Sequence, residues 1–591
     1  MFRKMLLIVF TILACNFCCY AQDFELEPII VTGTRFPTEF YKVPRRITVI
    51  DSAQISEMKA GSLAEVLNSV SGVDIQERGG SGMQADITMR GSTFQQVLVL
   101  VDGVRISDPQ TAHHIMNLPL TLDVVDRIEV LHGQGSSIYG PDAFGGVINI
   151  VTKQPGNKIL ETRFAYGSYG TWDGSVSLGG SYKAFSGRVS IDAETSDGFM
   201  YDRDFNVVNF YTNLKRDLNW GWMGFSYGVN NKEFGANGFY GPSPSREWTR
   251  TKLEKLEIGI NAGEIVLEER VYYRRNDDKF IYDIINTPQA SVNYHTTKVY
   301  GNDFQARFKN LVVGNEIAID SIESTNLGSH STCRIGLYSE YLCTPLNLLD
   351  LNVGVRGDYH SVYGLEWSPS LNMGCRILSN LRLRSSIGRA FRAPSFTELY
   401  YSSPSSKGDP NLKAENNWSY DAGVDWFPYK WLSASATFFI RDEKNVIDWA
   451  YTDTLPFQAQ NIGQLVMRGI EAEANFSLKP LSLSLGYSYI NSQSTTSQNY
   501  ISKYALRYPE HQATVKVNHP LILNVYQSWQ GVLKQRVGEP GYFLLSSAIS
   551  REIGNIEVFL KGTNLLNIRY EEIYGVAGPG VWIWGGIKFS K

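Results

Sequence analysis

The chain has 591 residues, 43% of them apolar and 13% aromatic, and its formal net charge is only −4. A weak net charge with no basic block argues against nucleic acid as a partner. The mean hydropathy of −0.19 does not exclude a membrane protein, because a membrane β-barrel alternates apolar lipid-facing residues with polar lumen-facing ones.

The first 21 residues are typical of a secretory signal peptide. Two basic residues precede an apolar run at residues 5–15, and small residues follow it before Gln22. The run is too short for a membrane helix. A lipoprotein signal ending at Cys15, Cys18 or Cys19 is the alternative, although the residues before each cysteine make a poor lipobox. No later stretch is apolar enough to cross a bilayer as a helix, so membrane residence requires strands.

The next two segments differ in character. Residues 22–40 form a short extended segment that contains a β-branched run, and residues 41–155 are compact and punctuated by glycine. Within the second segment, Ser62 caps a stretch of apolar residues with helical spacing up to Leu67. Strand patterns follow at 87–89, 97–101, 127–131 and 147–151, each bounded by Gly or a turn pair. We therefore predict a small α+β domain over residues 41–155.

From residue 156 to 591 the sequence alternates apolar and polar residues between turns. Val189 and Ile191 fall on one face of a predicted strand, and Arg188 and Ser190 on the other. A 22-stranded barrel would use roughly 20 residues per strand here, whereas an eight-stranded one would use roughly 54. Since a membrane strand needs about 9–11 residues, the larger barrel leaves turns and loops of ordinary length.

Several motifs occur in one order along the chain, and together they are more specific than any one alone. They lie at residues 97–105, 126–133, 137–140 and 143–150, and further along at 389–400, 410–415, 468–471 and 564–567. This succession resembles the TonB-dependent outer-membrane receptors over nearly the whole mature chain. The resemblance implies a transmembrane β-barrel of about 22 antiparallel strands with the N-terminal α+β domain as a plug inside its lumen.

The resemblance also implies a location and partners. The protein is expected in the bacterial outer membrane as a multi-pass barrel surrounded by lipid. Its expected partners are a small-molecule ligand and the C-terminal domain of TonB in the TonB-ExbB-ExbD complex, with a surface lipoprotein lid as a further partner.

The TonB box is expected in the segment 22–40, at Ile29, Ile30, Val31, Thr32 and Gly33. An exposed extended run of β-branched residues can add as a strand to the sheet edge of a partner, which gives a grip through main-chain hydrogen bonds. The alternative from the residues alone is a leftover edge strand or a disordered tail.

A charged latch between plug and barrel is implied at Arg90, Arg127, His132, Glu471 and Glu473. The two glutamates are two residues apart on a strand, so both point to one face, which we expect to be the lumen. His132 stands where the family commonly has Arg. We hypothesise that this exchange removes a fixed charge and makes the plug easier to release, and a merely repacked strand end is the equal alternative.

Two plug loops, one rich in glycine and one polar, are expected to contact the substrate. Both are similar to loops of cobalamin receptors. Their predicted contact residues are Gly80, Ser81, Gly82, Met83 and Gln84 in the first loop, and Asp108, Pro109, Gln110, Thr111, His113 and His114 in the second. Cobalamin (vitamin B12) is therefore the expected cargo. The alternatives are an iron-siderophore or haem in the same kind of importer, or a different class of protein, a barrel enzyme or an adhesin.

No enzyme motif or cofactor site is apparent. Gly133-Gln134-Gly135 lacks the third glycine of a dinucleotide fingerprint, and no catalytic triad or zinc motif is identifiable. Neighbouring histidines such as His113 and His114 are more often solvated than metal-bound, so no metal site is predicted. Asp197, Asp202 and Asp204 offer oxygen ligands for calcium in an extracellular loop, but a solvated loop is favoured because their spacing does not match an EF-hand.

Overall fold

The computed structural model describes residues 30–591 except 32, 40–41, 81, 157, 290, 452–456, 479 and 495–500. For residues 30, 31, 451 and 501 it describes the backbone alone. The predicted signal peptide at 1–21 lies outside the described residues, as do Ile29 and Thr32 of the predicted TonB box and Ser81 of the first substrate loop. Among the helices that are described, none is long and apolar enough to cross a membrane.

The N-terminal region is a small α+β unit, as the sequence predicts. Its strands are β1 Ile30–Val31, β2 Thr38–Glu39, β3 Ile47–Asp51, β4 Val73–Glu77, β5 Ala85–Met89, β6 Val97–Val101, β7 Val104–Arg105, β8 Val125–His132 and β9 Gly146–Thr152, and its helices are α1 Ser52–Met58, α2 Leu63–Leu67 and α3 Ser136–Tyr139. Strands β3-β8-β9-β6-β7 form one sheet, in which only β6 and β9 are parallel. The predicted Ser62 cap is present, because its side chain accepts a hydrogen bond from the backbone N–H of Glu65.

The rest of the described chain forms a closed barrel of 22 antiparallel strands, which confirms the predicted fold class. The strands of this region are β10 Ile159–Gly167, β11 Trp172–Tyr182, β12 Phe185–Ser196, β13 Phe205–Leu218, β14 Gly221–Gly235, β15 Arg246–Ala262, β16 Ile265–Ile281, β17 Val292–Phe308, β18 Leu311–Ser324, β19 Gly328–Leu346, β20 Leu349–His360, β21 Gly364–Leu378, β22 Leu381–Arg392, β23 Ser406–Lys407, β24 Glu415–Tyr429, β25 Leu432–Lys444, β26 Ile447–Tyr451, β27 Phe457–Asn461, β28 Gln464–Leu478, β29 Leu481–Ser494, β30 Ile501–Ser502, β31 Pro509–Pro520, β32 Val525–Arg536, β33 Tyr542–Ile553, β34 Ile556–Thr563, β35 Glu571–Ile573, β36 Val576–Ala577 and β37 Trp582–Ser590. β37 pairs with β10 and closes the ring. β23, β26, β27 and β30 form a separate sheet, and β35 and β36 a hairpin.

The barrel is apolar outside and polar inside. Val189 and Ile191 on β12 are 42% and 46% exposed, whereas Arg188 and Ser190, which alternate with them along the strand, are buried. This is the alternation expected of a strand with lipid on one face and a filled lumen on the other. The plug core continues into the wall, since the buried cluster around Val66 includes side chains of the inner barrel face.

The two ends of the barrel differ in loop length. Tight turns such as those at 183–184 and 309–310 close one end, and long connections such as 236–245 and 393–414 close the other. Short turns face the periplasm and long loops the exterior in barrels of this type. One long connection carries helix α4 Phe396–Tyr400, which begins with a capping box formed by Ser395 and Glu398.

Candidate functional site: plug latch, plug apex and N-terminal strand

A buried ion pair joins the plug to the barrel wall. Nε and Nη2 of Arg90 donate to Oε1 and Oε2 of Glu471 at 3.0 and 2.8 Å, and Nη1 donates to Asp421 at 2.8 Å. Arg90 and Gly91 follow β5 with φ of +52° and +72°. This left-handed turn is unusual for a non-glycine residue and carries Arg90 into the wall. Arg90 and Glu471, both predicted for the latch, therefore meet.

The carboxylate of Glu471 contacts two more plug residues. Arg46 Nε lies 3.1 Å from Oε2, and His132 Nδ1 lies 3.3 Å from Oε1. His132 Nε2 is 3.0 Å from Thr48 Oγ1. Burial lowers the pKa of His132 despite the opposing charge of Glu471. At neutral pH the imidazole thus contributes a hydrogen bond to the latch rather than a charge.

The other two predicted latch residues behave differently. Glu473 contacts Arg46 at 3.1 Å. Arg127 is not in the cluster, because its guanidinium bonds Glu129 and Asp126 on the plug itself at 2.8 and 2.9 Å. Grouping Arg127 with the latch was therefore wrong for this structure. Sequence reasoning missed Arg46, which directly precedes β3, a strand that the sequence analysis did not predict.

A second charged cluster that was not predicted lies beside the first hairpin of the plug. Asp74 on β4 accepts from Arg536 Nη1 and Nη2 at 2.9 and 3.0 Å and from Lys534 at 3.0 Å, and Lys534 also bonds Glu572 at 3.0 Å. Burial alone would raise the pKa of Asp74, but the two cations hold it well below its usual range. The plug is thus tied to the wall on two sides.

The second predicted substrate loop is docked on the inner wall near the exterior. Asp108 Oδ2 accepts from Arg274 Nη1 at 2.8 Å and from Thr297 Oγ1 at 3.1 Å. Gln110 and Thr111 are buried as well. The loop therefore contacts the barrel through buried polar side chains rather than projecting into solvent.

An extracellular connection roofs this loop. The backbone N–H groups of Phe396 and Thr397 donate to the carbonyls of Pro109 and Gln110 at 2.9 and 3.1 Å. Helix α4 carries these donors. Between loop, wall and roof lies a cavity of about 100 Å³, far below the roughly 300–1,000 Å³ of ordinary ligand pockets. We call the loop at 107–114 the plug apex and the connection at 393–414 the roof. In this structure the roof and the barrel wall close the space above the plug apex.

The first predicted substrate loop is covered too. A Cβ on Gly80 would lie 2.8 Å from the ring of Trp582, and one on Gly82 would lie 2.9 Å from Val207, so these glycines admit barrel side chains rather than a ligand. Met83 is buried in the same apolar cluster. Gln84 Oε1 accepts from the Tyr240 hydroxyl at 2.6 Å.

The adjacent histidines are not a solvated pair. His113 Nδ1 contacts Asp86 at 2.8 Å, and its ring stacks on Phe94 with centroids 4.3 Å apart. His114 turns to the wall, where it faces Glu247 and Asp278 at 3.8 and 3.7 Å. The expectation of a solvated loop feature is therefore wrong for both rings.

Some of the buried polar atoms without partners lie between the plug apex and the wall, and others are spread over the rest of the described chain, for example at Arg45 and Gln134. In the described part of the chain, Gln84 Nε2, Ser107 Oγ and Gln110 Oε1 on the plug have no hydrogen-bond partner, nor have Asn276 Nδ2 and Asp278 Oδ1 on β16. A buried unpaired polar group costs about 1–3 kcal/mol. The contact between the plug apex and the wall thus contains hydrogen-bond donors and acceptors that have no partner in the closed state.

The N-terminal strand is held near the periplasmic end. Of the predicted TonB box, the backbone of Ile30 and Val31 pairs with Glu39 and Thr38, and Gly33 is buried. Just beyond it, Arg35 Nη1 pairs with Asp303 on the wall at 3.0 Å. Ile30 and Val31 of the predicted box therefore lie in a short strand, and the Arg35 anchor lies two residues beyond Gly33.

The calcium ligands suggested by the sequence contact an arginine. Asp204 Oδ2 lies 2.8 Å from Arg246 Nη2, and Asp202 Oδ1 lies 3.9 Å from Nη1 of the same guanidinium. The same guanidinium also lies 2.9 Å from Glu233 Oε1, so Arg246 is the partner of three carboxylates here.

Family models match both parts of the chain. The model for TonB dependent receptor-like β-barrels matches residues 153–565, and the model for the TonB-dependent receptor plug domain matches residues 40–147. The chain belongs to the TonB-dependent receptor family. It is accordingly an outer-membrane receptor and transporter rather than an enzyme, with TonB and a small-molecule ligand as partners.

Solved structures share the fold. The siderophore receptor PirA from Pseudomonas aeruginosa has a TM-score of 0.74 at 19% identity, with 92% of this chain and 99% of that chain covered. A variant of the ferric enterobactin receptor PfeA from Pseudomonas aeruginosa has a TM-score of 0.76 at 17% identity, covering 92% and 98%. The siderophore receptor PiuA from Acinetobacter baumannii has a TM-score of 0.77 at 14% identity, covering 96% and 99%. At these identities the likeness establishes the fold.

Proposed function

We propose that this receptor captures a large metal chelate at the plug apex from outside and imports it when TonB pulls on the N-terminal strand. The observation that carries the proposal is the closed apex, where Ser107, Gln110 and Asn276 hold unused polar atoms beneath an extracellular roof. Ligand would enter once the roof lifts and would then take up these donors and acceptors. Passage requires the plug to move, because the latch and the docked loops close the lumen.

A ferric siderophore is the first cargo that we propose. The solved structures that share this fold include the siderophore receptors PirA and PiuA and the ferric enterobactin receptor PfeA. This replaces cobalamin, which the sequence alone favoured, as the leading cargo.

Cobalamin remains the second candidate cargo because of the chemistry of the unused polar groups at the plug apex. The unused groups at Gln84, Ser107 and Gln110 are amides and a hydroxyl rather than charges, and they suit a ligand rich in neutral amide groups. The resemblance of the loop from Asp108 to His114 to cobalamin receptors points the same way.

Direct binding tests both cargoes. Purified receptor in detergent is titrated with a panel of ferric siderophores and with cyanocobalamin, and bound chelate is followed by its absorption spectrum. Growth on limiting iron and on limiting cobalamin is compared between a receptor-deletion strain and its complemented form. Binding of a siderophore with an iron-dependent growth defect supports the first cargo, and the converse pattern supports the second. If no chelate binds and the deletion strain grows normally in both media, chelate import is refuted.

A further inference from the structure

One group of buried side chains bridges the plug and the wall without being used by the latch or by the proposed import cycle. It consists of His114 on the apical plug loop, Glu247 at the start of β15 and Asp278 near the end of β16. One ligand atom from each lies within 4.8 Å of those of the other two, and all three residues are buried. One imidazole and two carboxylates form a ligand set that suits first-row divalent cations.

The contacts within this group are too long for hydrogen bonds and leave room for an ion. His114 Nε2 is 3.7 Å from Asp278 Oδ2, and His114 Nδ1 is 3.8 Å from Glu247 Oε1. Ligands bound to zinc at about 2.0–2.2 Å lie roughly 3.3–3.5 Å from each other in a tetrahedral arrangement. Small side-chain shifts would therefore bring the three groups to a common ion.

Two further observations point to a cation. Asp278 Oδ1, in a residue only 6% exposed, has no hydrogen-bond partner among the described residues. Two buried carboxylates also face a single imidazole here, with the ammonium group of Lys232 nearby held by the carbonyls of Met83 and Met116 at 3.4 and 3.5 Å. A divalent ion would compensate both carboxylates at once.

The surroundings define which histidine nitrogen is free. Asn117 Nδ2 lies 3.4 Å from His114 Nδ1, and Nε2 of the same ring faces Asp278 at 3.7 Å. Metal binding through Nε2 would place the ring proton on Nδ1, so the Asn117 amide would have to turn its oxygen toward Nδ1 as the outer-sphere acceptor. His295 pairs in register with Asp278, but its Nδ1 contacts Ser324 Oγ at 2.7 Å and is engaged there.

We propose that His114, Glu247 and Asp278 form a binding site for a divalent transition-metal ion of the Zn²⁺ class, which ties the apical plug loop to the barrel wall. The ion bridges two parts of the molecule that separate when the plug moves, so it stabilises the closed state. Three protein ligands leave a fourth position for water. The site is independent of which chelate is transported, because its ligands come from the receptor alone.

The test uses the purified receptor in detergent after removal of metal by a chelator. Zn²⁺ affinity is measured by competition with a chromophoric chelator, and Co²⁺ is added separately to read its visible absorption bands. One ion per chain is expected to bind and to raise the Tm of the receptor. His114→Asn and Asp278→Asn should each weaken Zn²⁺ by more than the 10–100-fold that outer-sphere partners cost.

His330→Gln is the matched control, because it removes an imidazole that contacts the carbonyl of Leu327 in an extracellular connection. It should leave Zn²⁺ binding unchanged. Heat-modifiable migration in gels checks that each variant forms its barrel. If Asp278→Asn fails to fold, His114→Asn on the plug loop decides the question. Unaltered Zn²⁺ affinity in His114→Asn, or no Zn²⁺ bound by the wild type, overturns the proposal.

Discussion

Arg90 of the plug and Glu471 of the barrel wall form a two-pronged ion pair, with Nε–Oε1 at 3.0 Å and Nη2–Oε2 at 2.8 Å. Both side chains are almost wholly buried. A buried ion pair adds little net stability compared with apolar packing, but its geometry fixes how two surfaces meet, and loss of one partner is costly. The pair therefore sets the position of the plug in the lumen.

Replacing Glu471 by Gln should destabilise plug docking by about 1–3 kcal/mol, because Arg90 and Arg46 lose a shared carboxylate while Asp421 and Glu473 still face them. Glu473→Gln is the control. The Glu473 carboxylate is 26% exposed and contacts Arg46 but not Arg90. Its loss should therefore cost about 1 kcal/mol or less. Hydrogen exchange of the plug strands measures both. Equal exchange rates in the two variants would show that Glu471 does not anchor the plug.

Acid should weaken the latch through His132. Its pKa is lowered in the folded state by burial, whereas the unfolded value is the ordinary 6.5. The folded plug thus binds fewer protons than the unfolded plug below pH 6.5, and stability is fully present above that pH and falls as the pH drops. The groups facing the ring are Glu471, Arg46, Arg90 and Thr48.

His132→Gln isolates this effect, since it keeps hydrogen-bonding capacity without a titrating ring. Exchange of β3 and β8 should rise in the wild type between pH 7 and 5 relative to the variant. Contrary to the hypothesis drawn from the sequence, His132→Arg should loosen the plug, because Glu471 already pairs with Arg46 and Arg90 and the ring at 132 has no exposed surface. A flat pH profile in the wild type, or a tighter plug in His132→Arg, contradicts this account.

The barrel was predictable because its strands repeat one simple signal. Lipid selects apolar residues on one face of every strand, as at Val189 and Ile191, and the total length then limits the strand number. The plug needed its family motifs, since its short strands carry no such periodicity. Arg90 and Glu471 were found because the resemblance places both.

The remaining features depend on contacts between distant segments. Arg46 and Asp74 have no local pattern that distinguishes them from surface charges, and only the fold brings them to Glu471 and Arg536. Burial of the apical loop beneath Phe396 likewise depends on a connection nearly 300 residues away in sequence. Sequence periodicity reports which face a residue occupies, not which segment covers it.

Val31→Pro should abolish accumulation of the cargo while leaving its binding unchanged. Proline removes the N–H that a strand contributes to a partner sheet. The apical loops lie at the other end of the plug, so ligand affinity should stay within about twofold. Binding to purified receptor and uptake by whole cells are measured side by side, with Val31→Thr as the control that keeps the strand. Normal accumulation in Val31→Pro would contradict energised import through this strand.

The roof should control how fast ligand enters. Arg392 Nη1 and Nη2 donate to Glu398 at 2.9 and 3.0 Å and so hold α4 over the plug. Glu398→Gln removes the ion pair while keeping an acceptor for the Ser395 cap, and Arg392 retains Glu415. The variant should populate the open apex more often. Since apparent affinity scales with the competent fraction, association should become severalfold faster.

Stopped-flow binding of the identified chelate measures this rate. Glu366→Gln is the matched control, because Glu366 pairs with Arg389 away from the roof and its loss should leave association unchanged. Both variants remove the carboxylate of an Arg–Glu pair, buried at Glu398 and more exposed at Glu366, so the control accounts for the loss of one negative charge. Faster association in Glu398→Gln alone places the barrier at α4. Equal association rates in the wild type and both variants would mean that the roof opens faster than ligand arrives, and the barrier would then lie in the docking of the apical loop on Arg274.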